Sequence, residues 1–166
     1  MEWYRKALTG PVNQGAPHLK LGRLLLVQGG VAEGIQELRA AVSADAKLFK
    51  DFVEIATAAM NQGNVELGLA AWEAITELQP KSVTNHYNLG VALASMKRYD
   101  EAVAQWKLAL EIEPEHENSL QNIAVAAVIS KDFDTAWTTV HQLEAMGKSP
   151  DPTLLQNLRD QSGRTQ

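Results

Sequence analysis

Few side chains in this chain could carry chemistry. There are four histidines and no cysteine, so thiol nucleophiles, disulfides, iron–sulfur clusters and cysteine-type zinc sites are excluded. His116 lies among Glu113, Glu115 and Glu117, which on paper resembles a metal site. No second imidazole is near it in sequence, and the stretch reads as a solvated acidic turn. Asp100, Glu101, Asp132 and Asp134 sit where helices begin, with no motif that pairs two carboxylates across a substrate. Gly29-Gly30 follows no strand and precedes no Lys-Ser or Lys-Thr, so it is a turn and not a phosphate loop. His18 and His86 fall on the buried side of helices and read as structural, whereas His141 reads as exposed. Trp72 and Trp106 read as core side chains. No catalytic residue, cofactor site or metal site emerges, and the chain reads as a non-enzyme.

The elements that hold these residues follow from composition and pattern. The chain has 166 residues, 45% of them hydrophobic, which is ordinary for a packed protein. Twenty acidic against fifteen basic residues give a formal charge of −5 with no long block of one sign, which disfavours nucleic-acid binding. The longest apolar run, Ile123 to Ile129, is far too short for a membrane span, and the first residues contain no apolar secretory core. The compartment is read as cytoplasmic, with the periplasm or the exterior as the alternative if a leader has been removed.

A fixed period of 34 residues runs along the chain. Stepping by it gives an aliphatic series, Leu21, Ile55, Leu89 and Ile123, beside a small series, Gly22, Ala56, Gly90 and Ala124. A second small series is Gly34, Gly68, Ala102 and Ala136, followed by bulky Leu38, Trp72, Trp106 and Val140 and apolar Ala41, Ile75, Ala109 and Leu143. With Gly and Ala together at roughly one residue in six, eight small residues at chosen positions arise by chance roughly once in a million. Each unit carries two stretches of apolar residues at helical spacing and is predicted to be a helical hairpin. Gly29, Gly63, Lys97 and Lys131 stand where the first helix of each unit ends, and Glu33, Glu66, Asp100 and Asp134 stand near the start of the second. The two small columns should face each other inside each hairpin, with Trp72 and Trp106 filling the gap to the next unit.

This pattern resembles the tetratricopeptide repeat, whose unit is a helix–turn–helix with Leu-Gly near its start, small residues at its middle and a closing proline. Residues 83–116 match best, through Tyr87, Leu89, Gly90, Tyr99, Ala102, Trp106, Ala109 and Pro114. The resemblance implies an all-α, right-handed α-solenoid of antiparallel helix–turn–helix repeats at 15–48, 49–82, 83–116 and 117–150. Departures are mild: His18 and His86 replace the usual aromatic, Ala46 stands where the first unit should have proline, and Lys148 does so in the fourth. Residues 1–14 fit the second helix of a partial preceding repeat, with Tyr4 aligned on Leu38 and Ala7 on Ala41. The chain is therefore expected to be cut from a longer array or to start with a half-unit cap. Residues 151–160 are predicted to form a C-terminal capping helix through Leu154, Leu155 and Leu158, and 161–166 a frayed tail.

The resemblance also implies that the first helices line a concave, peptide-binding groove. Helical register places Leu19, Lys20, Arg23, Leu26 and Val27 on it from the first unit, and Lys50, Val53, Glu54, Thr57 and Met60 from the second. The third and fourth units add Thr84, Tyr87, Asn88, Val91, Asn118, Gln121, Asn122 and Val125. In the family an Asn at the place of Asn88 and Asn122 often bonds the backbone of an extended ligand, a task that suits an amide because it both donates and accepts. The basic clamp with which some members hold a chaperone's C-terminal carboxylate is missing. Lys20, Arg23 and Lys50 suggest an acidic ligand portion at the N-terminal end, and Val125, Val128 and Ile129 an apolar portion at the other, unless the capping helix covers them. The expected function is a scaffold that binds a partner protein or peptide. Alternatives are a homo-oligomer built through Trp3, Tyr4 and Leu8 of the half-repeat, or an accessory region of a larger enzyme such as a glycosyltransferase.

Overall fold

The computed structural model describes residues 14–163, and every regular element among them is helical. The helices are α1 (Gly15–Val27), α2 (Val31–Ala44), α3 (Phe49–Asn61), α4 (Val65–Leu78), α5 (Val83–Ser95), α6 (Tyr99–Ile112), α7 (Glu117–Ile129), α8 (Phe133–Ala145) and α9 (Pro152–Ser162). A short 3₁₀ turn, Ala46–Leu48, precedes α3 at the point where a closing proline was expected. First helices begin at 15, 49, 83 and 117, and second helices at 31, 65, 99 and 133, each step being 34 residues. The expected half-repeat at 1–14 falls, but for its last residue, outside the described residues.

The turn inside each hairpin is built four times from one hydrogen-bond pattern. Gly29, Gly63, Lys97 and Lys131 all have positive φ, between 60° and 81°. The next residue's N–H then reaches back five positions: Gly30 to Leu25, Asn64 to Ala59, Arg98 to Leu93 and Asp132 to Ala127, at 2.8–3.0 Å. This satisfies carbonyls that the helix end would otherwise leave bare. The two lysines adopt a conformation that glycine takes more cheaply. Helix starts are fixed by side chains: Ser82, Asp132 and Asp151 accept from the backbone N–H three residues on.

The chain divides into two compact units, one ending at Leu78 and one beginning at Gln79. In the first, α1 packs on α2 and α3 on α4, and α2 also packs on α4. The core holds Leu21, Leu38, Phe52, Ala56, Trp72 and Ile75, all at most 3% exposed. A Cβ on Gly22 would lie 3.0 Å from the Gly34 carbonyl oxygen, so these backbones meet as the two small columns predict. The Arg23 guanidinium donates to Asp51 at 3.0 Å and ties α1 to α3.

In the second unit α5 packs on α6, α6 on α7 and α7 on α8, while α9 lies against α7 and α8. Leu154 and Leu158 of α9 are buried with Ala124, Ala127, Val128, Trp137 and Val140. Stepping 34 from the start of α7 gives 151, so α9 stands where a further first helix would begin. Leu158 occupies the small column there, and no second helix follows among the described residues to demand a Gly or Ala. The helix continues two residues past the expected Asp160, because Gly163 at φ 66° stops it and the Trp137 indole N–H donates to Ser162 Oγ. One expectation about packing is corrected. Trp106 is not confined to the gap between units: its ring lies over Gly90 within its own hairpin, and its indole N–H donates to the Tyr87 carbonyl at 3.1 Å.

Candidate functional site

The titratable residues singled out by sequence are occupied with the fold. His18 Nδ1 lies 2.6 Å from Glu37 Oε2. Two repeats on, His86 Nε2–H donates to the Pro80 carbonyl at 2.9 Å, and Nδ1 pairs with the Gln105 amide at 2.8 Å. His116 Nδ1 pairs with Ser119 Oγ at 2.8 Å, and its ring meets the Tyr87 ring edge-on. His141 is exposed and lies beside Trp137. Among the described residues no group of three or more His, Asp or Glu side chains is gathered as a metal site requires.

Two of the acids at the helix starts, Glu101 and Asp132, have partners of their own. Glu101 takes both Arg98 donors at 2.7 Å, which holds its carboxyl below the usual range. Asp132 is likewise lowered, by the hydroxyl and then the backbone N–H of Thr135. Lys148 is raised by its bond to Glu117. Asp100 and Asp132 line one small cleft of about 230 Å³ together with Lys107.

What the first helices do form is a series of clefts. In the second unit a cleft of about 300 Å³ opens between α5 and α7. Val91, Ala94 and Ser95 make one wall, Asn122, Val125, Ala126 and Ile129 the other, and Tyr99 and Trp106 line it as well. Every one of these residues is uncharged. In the first unit a cleft of about 440 Å³ has Arg23, Leu26 and Val27 on α1 facing Ile55, Ala58 and Ala59 on α3. Adding 68, two periods, to 23, 26 and 27 gives 91, 94 and 95, so the α1 and α5 walls hold the same register places. A third cleft, of about 390 Å³, lies between α7 and α9.

The residues expected on a groove are all exposed or half-buried. The structure brings Val91, Asn122 and Val125 together in the α5/α7 cleft and places Arg23 in the α1/α3 cleft. Lys20, Lys50, Glu54, Thr57, Thr84, Tyr87, Asn88, Asn118 and Gln121 do not line these clefts. Arg23 is not a free cation, since Asp51 holds it. Of the apolar residues that the capping helix competes for, Val128 is covered at 6% exposure while Val125 and Ile129 stay 42% and 51% exposed. Sequence reasoning missed the contributions of Ala94, Ser95 and Ala126. The register of Leu26 and Val27, already placed on the groove, points to 94 and 95 two periods later.

Residues 53–117 match the family described as tetratricopeptide repeat. No curated protein matches the sequence. Among solved structures the chain is similar to MamA, with a TM-score of 0.58 at 19% identity over 97% of this chain and 88% of that one. It is also similar to MamA from Desulfovibrio magneticus RS-1, with a TM-score of 0.60 at 16% identity over 88% and 82% of the two chains. A third is YrrB, described as a TPR protein with an unusual peptide-binding site, with a TM-score of 0.54 at 18% identity over 98% and 76%. Identities this low speak for the fold alone. No helix among the described residues is long and apolar enough to cross a membrane.

Proposed function

We propose that this chain, matched over residues 53–117 by the tetratricopeptide-repeat family and similar in fold to solved structures of such proteins, is a non-enzymatic scaffold holding an extended segment of a partner protein on its first helices. The observation that carries this reading is the uncharged α5/α7 cleft, where apolar Val91, Val125 and Ile129 stand beside the amide of Asn122. Apolar walls gain free energy by covering a side chain, and an amide can both donate to and accept from a peptide group without demanding one sequence. The peptide-binding site named for YrrB, a similar fold, supports the same direction. Lys20 and Lys50, exposed on α1 and α3, favour an acidic portion of the partner at the first unit. Glu54 and Thr57 stand on the first helices of the first unit, and Thr84, Tyr87, Asn88, Asn118 and Gln121 on those of the second.

Panning a phage library of random peptides against the full chain, then titrating the selected peptides, tests the reading. Affinities on the order of micromolar are expected for so small an interface. Asn122→Ala should weaken binding by roughly fivefold to tenfold, as loss of about 1 kcal/mol of hydrogen bonding implies. Peptides whose affinity is the same for the wild type, Asn122→Ala and Val125→Ser would overturn it.

A further inference from the structure

The α7/α9 cleft has a wall that repeats the first one in register. Val91, Ala94 and Ser95 line the α5/α7 cleft from α5, and 34 residues later Val125, Val128 and Ile129 line the α7/α9 cleft from α7. Val125 and Ile129 belong to both clefts and form the ridge between them. The opposite wall is supplied by α9, through Thr153, Leu154, Asn157 and Gln161. That helix is fixed in place: Asp151 caps it through Leu154 N–H at 2.9 Å, and Leu158 is fully buried. Asp151, which makes that cap, is the one charged residue that lines the cleft. Neither Asn122 nor Asn157 bonds another described residue through its amide.

We propose that α9 is more than a cover for the core: it walls a second side-chain acceptor, so that the two clefts together take one uncharged segment in polyproline II conformation with apolar residues at positions i and i+3. This rests on the scaffold reading above. The spacing argument is geometric. The clefts flank one helix, α7, so their centres are separated by about one interhelical distance, about 8–10 Å. A β-strand, rising about 3.3 Å per residue, returns a side chain to the same face after two residues or four, at about 7 or 13 Å, and misses both limits. A polyproline II segment rises about 3.1 Å per residue and returns every third residue to one face, at about 9 Å. It also leaves its peptide groups without internal hydrogen bonds, free to meet the amides of Asn122 and Asn157.

The test uses the full chain and capped, fluorescein-labelled peptides with proline-rich, uncharged backgrounds, read by fluorescence anisotropy. One peptide carries a single leucine, one carries two leucines three positions apart, and one carries them two positions apart. The three-apart peptide should bind roughly tenfold tighter than the single-leucine peptide, the gain expected from burying one more leucine, and the two-apart peptide should show no gain. Asn157→Lys, at an exposed position, should abolish the advantage of the three-apart peptide over the single-leucine peptide measured on the same variant, and Ile129→Ser should weaken both. If the three-apart peptide binds no tighter than the single-leucine one, or Asn157→Lys leaves its advantage intact, the second acceptor is refuted while the first cleft stands. If no peptide binds at all, the scaffold reading of this cleft fails with it.

Discussion

Substituting Gly90 tests the packing rule on which the hairpins are built. A Cβ built there would fall 2.6 Å from Cδ1 and 2.8 Å from Cε2 of the Trp106 ring, and closer still to its Nε1. That ring is 3% exposed and its N–H is bonded to the Tyr87 carbonyl, so it has little room to move. Overpacking a core costs about 1–3 kcal/mol and a buried donor pulled off its acceptor about 1–3 kcal/mol, against about 1 kcal/mol gained when alanine replaces glycine in a helix. Gly90→Ala should therefore lose about 3 kcal/mol. Gly68→Ala is the control: its Cβ would meet the thioether end of Met60, which can swing aside, so the net change should be near zero. The second repeat supplies the compensation, since it places Trp72 with Ala56 and Gly68 where the third has Trp106 with Gly90 and Ala102. Gly90→Ala combined with Ala102→Gly recreates that arrangement and should recover most of the loss, a coupling of about 3 kcal/mol between the two sites. Urea unfolding followed by circular dichroism measures the wild type, Gly90→Ala, Gly68→Ala, Ala102→Gly and the double variant. A double variant whose loss equals the sum of the single losses would refute the reasoning, as would equal midpoints for Gly90→Ala and Gly68→Ala.

Three further outcomes follow from the same geometry. Lys97→Gly and Lys131→Gly remove non-glycine residues from φ 60° and should each stabilise the chain by about 0.5–1 kcal/mol, seen as higher urea midpoints; unchanged midpoints would contradict the strain. Asp132, lowered by Thr135, contributes stability that is full above the ordinary aspartate value of 3.8 and fades as the pH falls through its lower folded value. Asp132→Asn keeps the cap without the titration, so acid unfolding profiles of the two proteins should diverge only below about pH 4, and parallel profiles would show that the cap is not the titrating contact. Glu37→Gln should be nearly neutral, because Gln105 makes the equivalent bond to His86, whereas Glu37→Ala should cost about 1 kcal/mol. Thermal unfolding that ranks these two equally would remove the histidine pair as a structural tie.

The sequence made the hairpins legible because a helix turn, a cap and a crossing each demand a residue type at one column. Gly29 and Gly63 marked helix ends by the same logic that the structure extends to Lys97 and Lys131, whose place at the end of the first helix is also a left-handed turn. The equivalence of His18 and His86 was visible, but their partners were not. Glu37 and Gln105 lie 19 residues on, across a hairpin, and only the packing of two helices brings them within reach. Trp106 was placed only in part for a related reason, since it lines the α5/α7 cleft and also covers Gly90 of its own hairpin. A bulky column says that space must be filled, while the choice between filling it within a hairpin or beyond depends on whether residue 90 or residue 102 is the glycine.

The clefts lie at the limit of what the period can specify. A repeat fixes the residues that touch their own hairpin and the next, and those positions hold Gly, Ala and large apolar side chains in every unit. Positions 23, 91 and 125 are one register place on three first helices, yet they carry Arg, Val and Val. Nothing in the interior constrains them, so each unit is free to differ there. At the first unit that freedom places an arginine held by Asp51, and at the second unit it leaves an uncharged wall on either side of α7. Under the scaffold reading proposed above, the residues that stack the helices set where a partner can lie, and the ones the stack leaves unconstrained set which partner fits. This is why exchanging Val91 or Val125 for a charged residue should alter binding while leaving the urea midpoint nearly unmoved.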